Sequence, residues 1–328
     1  MKFVFILGVN GLIFISLLLL GELGLRLQHL YRYGSLEAST LESDPLLGWK
    51  TKPNFILSHK TTDVSGNTYT INYRTDDKGF RQYGDLATSK KKILIIGDSF
   101  THARHVSNEK LYYHHLNEDK KYELFAYGVS GYGNYQELLV LKKYIDSIRP
   151  DIIFWQFCIN DFSDNHFELN KKVGFSGIVF DRPYLNSIGN SQYFRNSPLA
   201  FLTQNSRLLT FLYSKYLINQ GIKNGPLVEI KNRGDKAPSY TLAQQRIREI
   251  FVLARKIIPA TTKVYGFLVN GDQVYDRGYQ KWTTEAGFTY IAGLAGQVSG
   301  SEYMAEDGGH WNERGHLKAG RYLADYFK

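Results

Sequence analysis

The stretch Lys92-Ile93-Leu94-Ile95-Ile96-Gly97-Asp98-Ser99-Phe100 decides the fold. Its apolar run, Ile93 to Ile96, is mostly β-branched and stops at a glycine. A strand with one wet face alternates apolar and polar residues. A continuous apolar run instead reads as a strand buried on both faces, the habit of parallel sheets. Asp151 to Cys158, after Pro150, and Lys263 to Val269, after Pro259, read the same way, and Tyr122 to Ala126 is a weaker fourth. Helical stripes lie between and after them: Leu138, Leu141, Ile145 and Ile148, then Ile247, Ile250, Phe251, Ala254 and Ile257. Leu317, Gly320, Leu323 and Phe327 predict a last helix, with Asn312 as its N-cap. Strands alternating with helices predict an α/β fold with a parallel central sheet covered on both faces.

Composition agrees with a folded body. The chain has 328 residues, 22% charged and 43% hydrophobic, which excludes disordered, collagen-like and solenoid classes. Its one cysteine, Cys158, excludes an intramolecular disulfide framework and reads as a core residue of the third strand. The formal net charge is +9, but the longest basic block is Lys90-Lys91-Lys92, so no nucleic-acid partner is expected. The charge reads as surface solubility, with a weak pull toward an anionic membrane or polymer.

From Phe3 to Gly21 no residue is charged, and Asn10 and Ser16 are the polar exceptions. About 20 apolar helical residues span a hydrocarbon core of roughly 30 Å. A cleaved signal peptide is the rival reading, but no Ala-x-Ala follows. The expected organisation is a single-pass membrane anchor over 1–27, a stalk and small β segment over 28–90, and a catalytic domain over 91–328. Thr68 to Tyr73 reads as a strand of the small segment. Residues 165–243 form a long insertion with a helix near Ser197 to Leu217 and otherwise irregular chain, expected as a lid or substrate-binding excursion.

Open parallel sheets bind ligands at the carboxyl ends of their strands. There the sequence places Gly97-Asp98-Ser99-Phe100, Gly128-Val129-Ser130-Gly131, and Ile159-Asn160-Asp161, and it places Asp307-Gly308-Gly309-His310 before the last helix. Together they complete one chemistry. A serine hydroxyl needs a positioned base, which His310 offers for Ser99. Asp307, on a short glycine-bearing turn, can orient that imidazole. The backbone N–H groups of Ser99 and Gly131 and the side-chain amide of Asn160 are candidate donors to an oxyanion. Asp98 reads as an organiser of the loop. His102, His105, His114 and His115 read as a solvated helix face without a metal, and His316 as structural.

These four blocks resemble those of the SGNH (GDSL-type) hydrolases, in the family's order, from about Lys92 to the C-terminus. Phe100 stands where many members have leucine, and no asparagine precedes Gly131 in Ala126-Tyr127-Gly128-Val129-Ser130. The resemblance implies a three-layer α/β/α, flavodoxin-like fold, a Ser-His-Asp mechanism, and neither cofactor nor metal. Carried over by position, Ser99 is the nucleophile, His310 the base, Asp307 its partner, and Ser99, Gly131 and Asn160 the oxyanion hole. With the N-terminal anchor it resembles the bacterial envelope type, with the body outside the cytoplasm. The leading function is a serine esterase that removes an acyl group, acetyl foremost, from a glycan or small ester. An O-acyltransferase using the same residues is the alternative, and a non-catalytic glycan-binding module a third. An α/β-hydrolase is excluded because the second glycine of Gly-x-Ser-x-Gly is missing. Gly131-Tyr132-Gly133 lacks the third glycine of a dinucleotide site.

Overall fold

A computed structural model describes residues 2–33, 39–173, 180–195 and 205–326. Among them, six strands form the central sheet. β1 (Leu41–Asp44) pairs with β2 (Gly48–Thr51), and β3 (Ile56–Thr62) pairs with β4 (Thr68–Arg74), as two antiparallel hairpins. β5 (Gln82–Tyr83), β6 (Lys91–Gly97), β7 (Tyr122–Gly128) and β8 (Ile152–Phe157) follow in the chain. After the hairpin of β9 (Asp181–Leu185) and β10 (Ser191–Arg195) come β11 (Lys263–Leu268) and β12 (Thr289–Ile291). The sheet order is β12-β11-β8-β6-β7-β5, with β5 antiparallel and the rest parallel.

The alternation of side chains along β6 sets the layers. Leu94 and Ile96 face one core, with Leu138, Leu141, Ile145 and Ile148 of the helix Asn134–Ile148 and Ile247, Ile250 and Phe251 of the helix Pro238–Ile257. Ile93 and Ile95 face the other, with Tyr112, Trp311, Ala319 and Leu323. Both faces are therefore dry, which is why the strand reads as an unbroken apolar run. The architecture is α/β, three layers deep.

Several expectations shift. The last helix, Glu313–Asp325, is capped by Asn312, whose side chain accepts from Gly315 N. Its buried face is Gly315, His316, Ala319, Gly320 and Leu323. Leu317 is only partly buried, and Phe327 lies outside the described residues. The insertion is more regular than expected, because Arg182 ties the β9–β10 hairpin to the body. Its guanidinium donates to Gln136 Oε1 (2.9 Å) and lies over the Trp49 ring. A helix spans Arg207–Asn224; residues 197–204 of the expected helix lie outside the described residues.

The first helix runs Lys2–Tyr33, and Phe5–Tyr31 within it is long and apolar enough to cross a membrane, as an anchor or a signal sequence would be. Beyond it, the segment carrying β1–β5 packs on the body: Trp49 and Phe80 are fully buried in the main core.

The interior also holds carboxylates. Trp155 Nε1 donates to Glu137 Oε2 (2.6 Å), and Asn134 Nδ2 donates to the same oxygen (3.0 Å). Asp161 Oδ2 accepts from Cys158 N, Asn134 Nδ2 and Tyr279 OH. Burial pushes Glu137 from 4.5 up to about 8. Between those values the folded protein keeps a proton that the unfolded chain has lost. Stability therefore falls as pH rises from about 4.5 to about 8, by up to about 1.4 kcal/mol per pH unit from this group. Glu137→Gln is expected to flatten this part of the slope. Thermal midpoints from pH 5 to 8 check it, and parallel curves for the two proteins would refute it.

Candidate active site

Gly97 and Gly128 end adjacent parallel strands and face each other in register. A Cβ on Gly128 would lie 2.3 Å from His102 N and 2.5 Å from Thr101 C. Only a glycine lets the short helix Ser99–His102 settle on the strand end. Asp98 caps that helix through Phe100 N (3.0 Å). The buried Gln156 of β8 fixes the loop from beneath: its Nε2 donates to Asp98 Oδ1 (2.9 Å), and its Oε1 accepts from Asp98 N (3.1 Å) and Thr101 Oγ1 (3.0 Å). Burial raises the Asp98 carboxyl above the usual carboxylate range. Asp98 thus sits where the sequence reading put it, as an organiser beneath Ser99.

Ser99 Oγ lies 2.7 Å from His310 Nε2, and His310 Nδ1 lies 2.6 Å from Asp307 Oδ2. The turn between the two residues is tight. Gly308 has φ +67, and Asp307 Oδ1 accepts from Gly309 N and His310 N. Phe100 packs near the His310 ring, with centroids 5.1 Å apart. The side chains of His310 and Asp307 are 32% and 35% exposed, so the pair opens to solvent.

Gly131 sits in a turn after β7 at φ +81, a backbone that favours glycine. The turn is gripped from two sides. Trp49 Nε1 donates to Ser130 O (3.0 Å), and Ser130 Oγ lies 2.7 Å from His102 Nδ1. Asn160 follows β8; its Nδ2 donates to Asp164 Oδ2 (2.9 Å) and reaches Tyr132 O at 3.5 Å. The amide therefore bridges the end of β8 to the turn that carries Gly131.

The histidines correct one expectation. His102 and His105 are buried, not on a solvated face, because Ala103 takes a left-handed conformation and ends the helix. His102 is sealed between Ser130 and Tyr73, whose OH lies 2.8 Å from Nε2, and burial drives its pKa well below the usual value. His105 Nε2 lies 3.1 Å from Asp307 Oδ2, and its ring stacks on His310 with centroids 5.3 Å apart. Burial resists ionisation of Asp307, but the two imidazoles of His105 and His310 beside its carboxylate prevail and hold it far below the carboxylate range. His114 and His115 are partly buried on the next helix, His115 beside Glu118 (3.2 Å). His316 is buried and accepts from Tyr112 N, a structural role. The sequence reading missed His102 and His105 because their partners lie far along the chain. The one signal was their spacing, three and six residues after Ser99.

Gln156→Leu strips Asp98 of its buried partner. It is expected to cost about 1–3 kcal/mol in urea unfolding and to slow fluorophosphonate labelling of Ser99.

No protein-family model and no curated protein matches the chain. Solved structures do. The structure of TesA is 13% identical with a TM-score of 0.42, over 73% of this chain and 98% of that one. The psychrotrophic esterase EstA from Pseudoalteromonas sp. is 10% identical with a TM-score of 0.41, over 73% and 97%. A carbohydrate esterase family 2 enzyme of Corynascus thermopiles is 14% identical with a TM-score of 0.40, over 80% and 70%. At these scores and identities the similarity carries no argument about family, activity or substrate.

Proposed function

We propose that this chain is a serine esterase of the SGNH (GDSL) type, and the hydrogen-bonded sequence Ser99–His310–Asp307 carries the reading. Ser99 Oγ attacks the ester carbonyl carbon while His310 Nε2 takes its proton. Asp307 accepts from Nδ1–H, which keeps Nε2 as the acceptor and stabilises the imidazolium. The N–H groups of Ser99 and Gly131 hold the oxyanion, joined by the Asn160 amide as one of its N–H groups turns from its long contact with Tyr132 O. Collapse breaks the acyl C–O bond, and the imidazolium protonates the leaving alkoxide. Water, deprotonated by His310, then attacks the acyl-enzyme and releases the acid and Ser99.

The substrate class we assign is an acyl ester, acetyl foremost, on a glycan or small molecule, which suits a triad open to solvent. The apolar N-terminal helix serves as a single-pass anchor, and the body lies outside the cytoplasm.

Full-length protein in detergent is expected to hydrolyse p-nitrophenyl acetate. Ser99→Ala should lower kcat by about 10⁶, the scale of losing a triad nucleophile. Asn160→Ala should cost about 10²–10³. Undiminished hydrolysis by Ser99→Ala would overturn the assignment.

A further inference from the structure

We propose that His105, Asp307 and His310 form a binding site for one zinc-class divalent cation, and that the bound cation switches the triad off. The inhibitory consequence rests on the esterase reading; the binding does not.

The donor set suits such a cation. Two imidazoles and a carboxylate offer ligand atoms that all lie within 4.8 Å of one another. Zinc bonds of about 2.0–2.2 Å at tetrahedral angles place neighbouring ligand atoms roughly 3.3 Å apart. His105 Nε2 and Asp307 Oδ2, 3.1 Å apart, already stand close to that spacing. His310 Nδ1, at 2.6 Å from the same oxygen, has to open by about 0.7 Å, and the two imidazole nitrogens, within 4.8 Å of each other, have to settle to the same spacing. His310 and Asp307 face solvent while His105 is buried, so a cation entering from solvent meets a rigid back wall and keeps a water in its fourth position. Behind His105, its Nδ1 faces Glu306 Oε1 at 3.9 Å. A carboxylate behind a ligating imidazole fixes its tautomer and strengthens it as a donor. Arg104, whose Nε donates to His105 Nε2 (3.4 Å), is exposed and has to swing away.

Switching follows from proton placement. In the free triad His310 carries its proton on Nδ1, toward Asp307, and offers the Nε2 lone pair to Ser99. A cation on Nδ1 moves that proton to Nε2. Nε2–H then donates to Ser99 Oγ and has no lone pair with which to take its proton. His105 Nε2 accepts from Arg104, so its proton already lies on Nδ1, toward Glu306, and its lone pair is free for the cation once Arg104 turns away. Both imidazoles stay neutral, so no net proton is released.

The test uses full-length protein in detergent, stripped with EDTA. Zinc chloride is titrated by calorimetry and, in parallel, against p-nitrophenyl acetate hydrolysis; cobalt(II) absorption in the visible reports tetrahedral ligation. The expected result is one ion per chain, a matching loss of hydrolysis, and recovery with EDTA. His105→Gln should weaken zinc binding and inhibition together by at least about 100-fold, and Glu306→Gln by about 10-fold. Near-UV circular dichroism confirms that each variant is folded, and Glu306→Gln carries the test if His105→Gln does not fold. Absence of stoichiometric zinc binding, equal binding by wild type and His105→Gln, or bound zinc with full hydrolysis would each overturn the proposal. If the protein binds zinc through His105 but hydrolyses no ester even when stripped, the site stands and the esterase reading falls.

Discussion

The absence of a side chain at Gly128 is the constraint on which the site depends. The helix that begins at Ser99 lies so close to the end of β7 that any Cβ there would collide with the backbone of Thr101 and His102. That contact fixes the height of Ser99 above the sheet, while the cap at Asp98 and the brace at Gln156 fix its orientation. The hydroxyl is thus presented by regular structure on one side. His310, the proposed base, arrives from the opposite end of the chain on a turn of its own, tied down by the two amides that donate to Asp307. A site assembled from rigid strand ends needs little reorganisation when charge develops.

The central strands were legible because burial on both faces leaves an apolar run, as in Ile93 to Ile96 and in Ile152 to Trp155 of β8. β12, with three residues, and β5, with two, are too short for any periodicity to show. The last helix was legible in position and in part of its face: Gly320 and Leu323 pack as expected, while Gly315, His316 and Ala319 complete the buried side and Leu317 is only partly buried. The order of Ser99, Gly131, Asn160, Asp307 and His310 along the chain marked the candidate site, since each follows a strand or precedes a helix. His105 was not legible, since its partner Asp307 becomes its neighbour only through the fold.

The loop that delivers His105 has its own brace. Arg81, wholly buried, donates to the carbonyls of His102, Ala103 and Val106 and to Asn108 Oδ1, and lies over the Tyr73 ring. A planar guanidinium with five donors can hold an irregular loop that no ladder of backbone bonds would support. Burying it costs desolvation, which the carbonyl dipoles and the aromatic face offset in part. The polar interior on this side of the molecule is therefore organised around one cation and the neutral His102 beside it.

The contacts of Trp49 and Tyr73 bear on where the chain can be divided. Trp49 holds the carbonyl of Ser130, next to Gly131, and Tyr73 closes the ring of His102 behind Ser130. Both residues precede the first strand of the parallel sheet. The stretch from β1 to that strand is therefore a wall of the candidate site and not a tether. Excising the α/β body at residue 90 would expose the apolar surface over the helix Asn134–Ile148 and free the turn at Gly131. Separating the body from the helix ahead of β1 would leave both contacts in place.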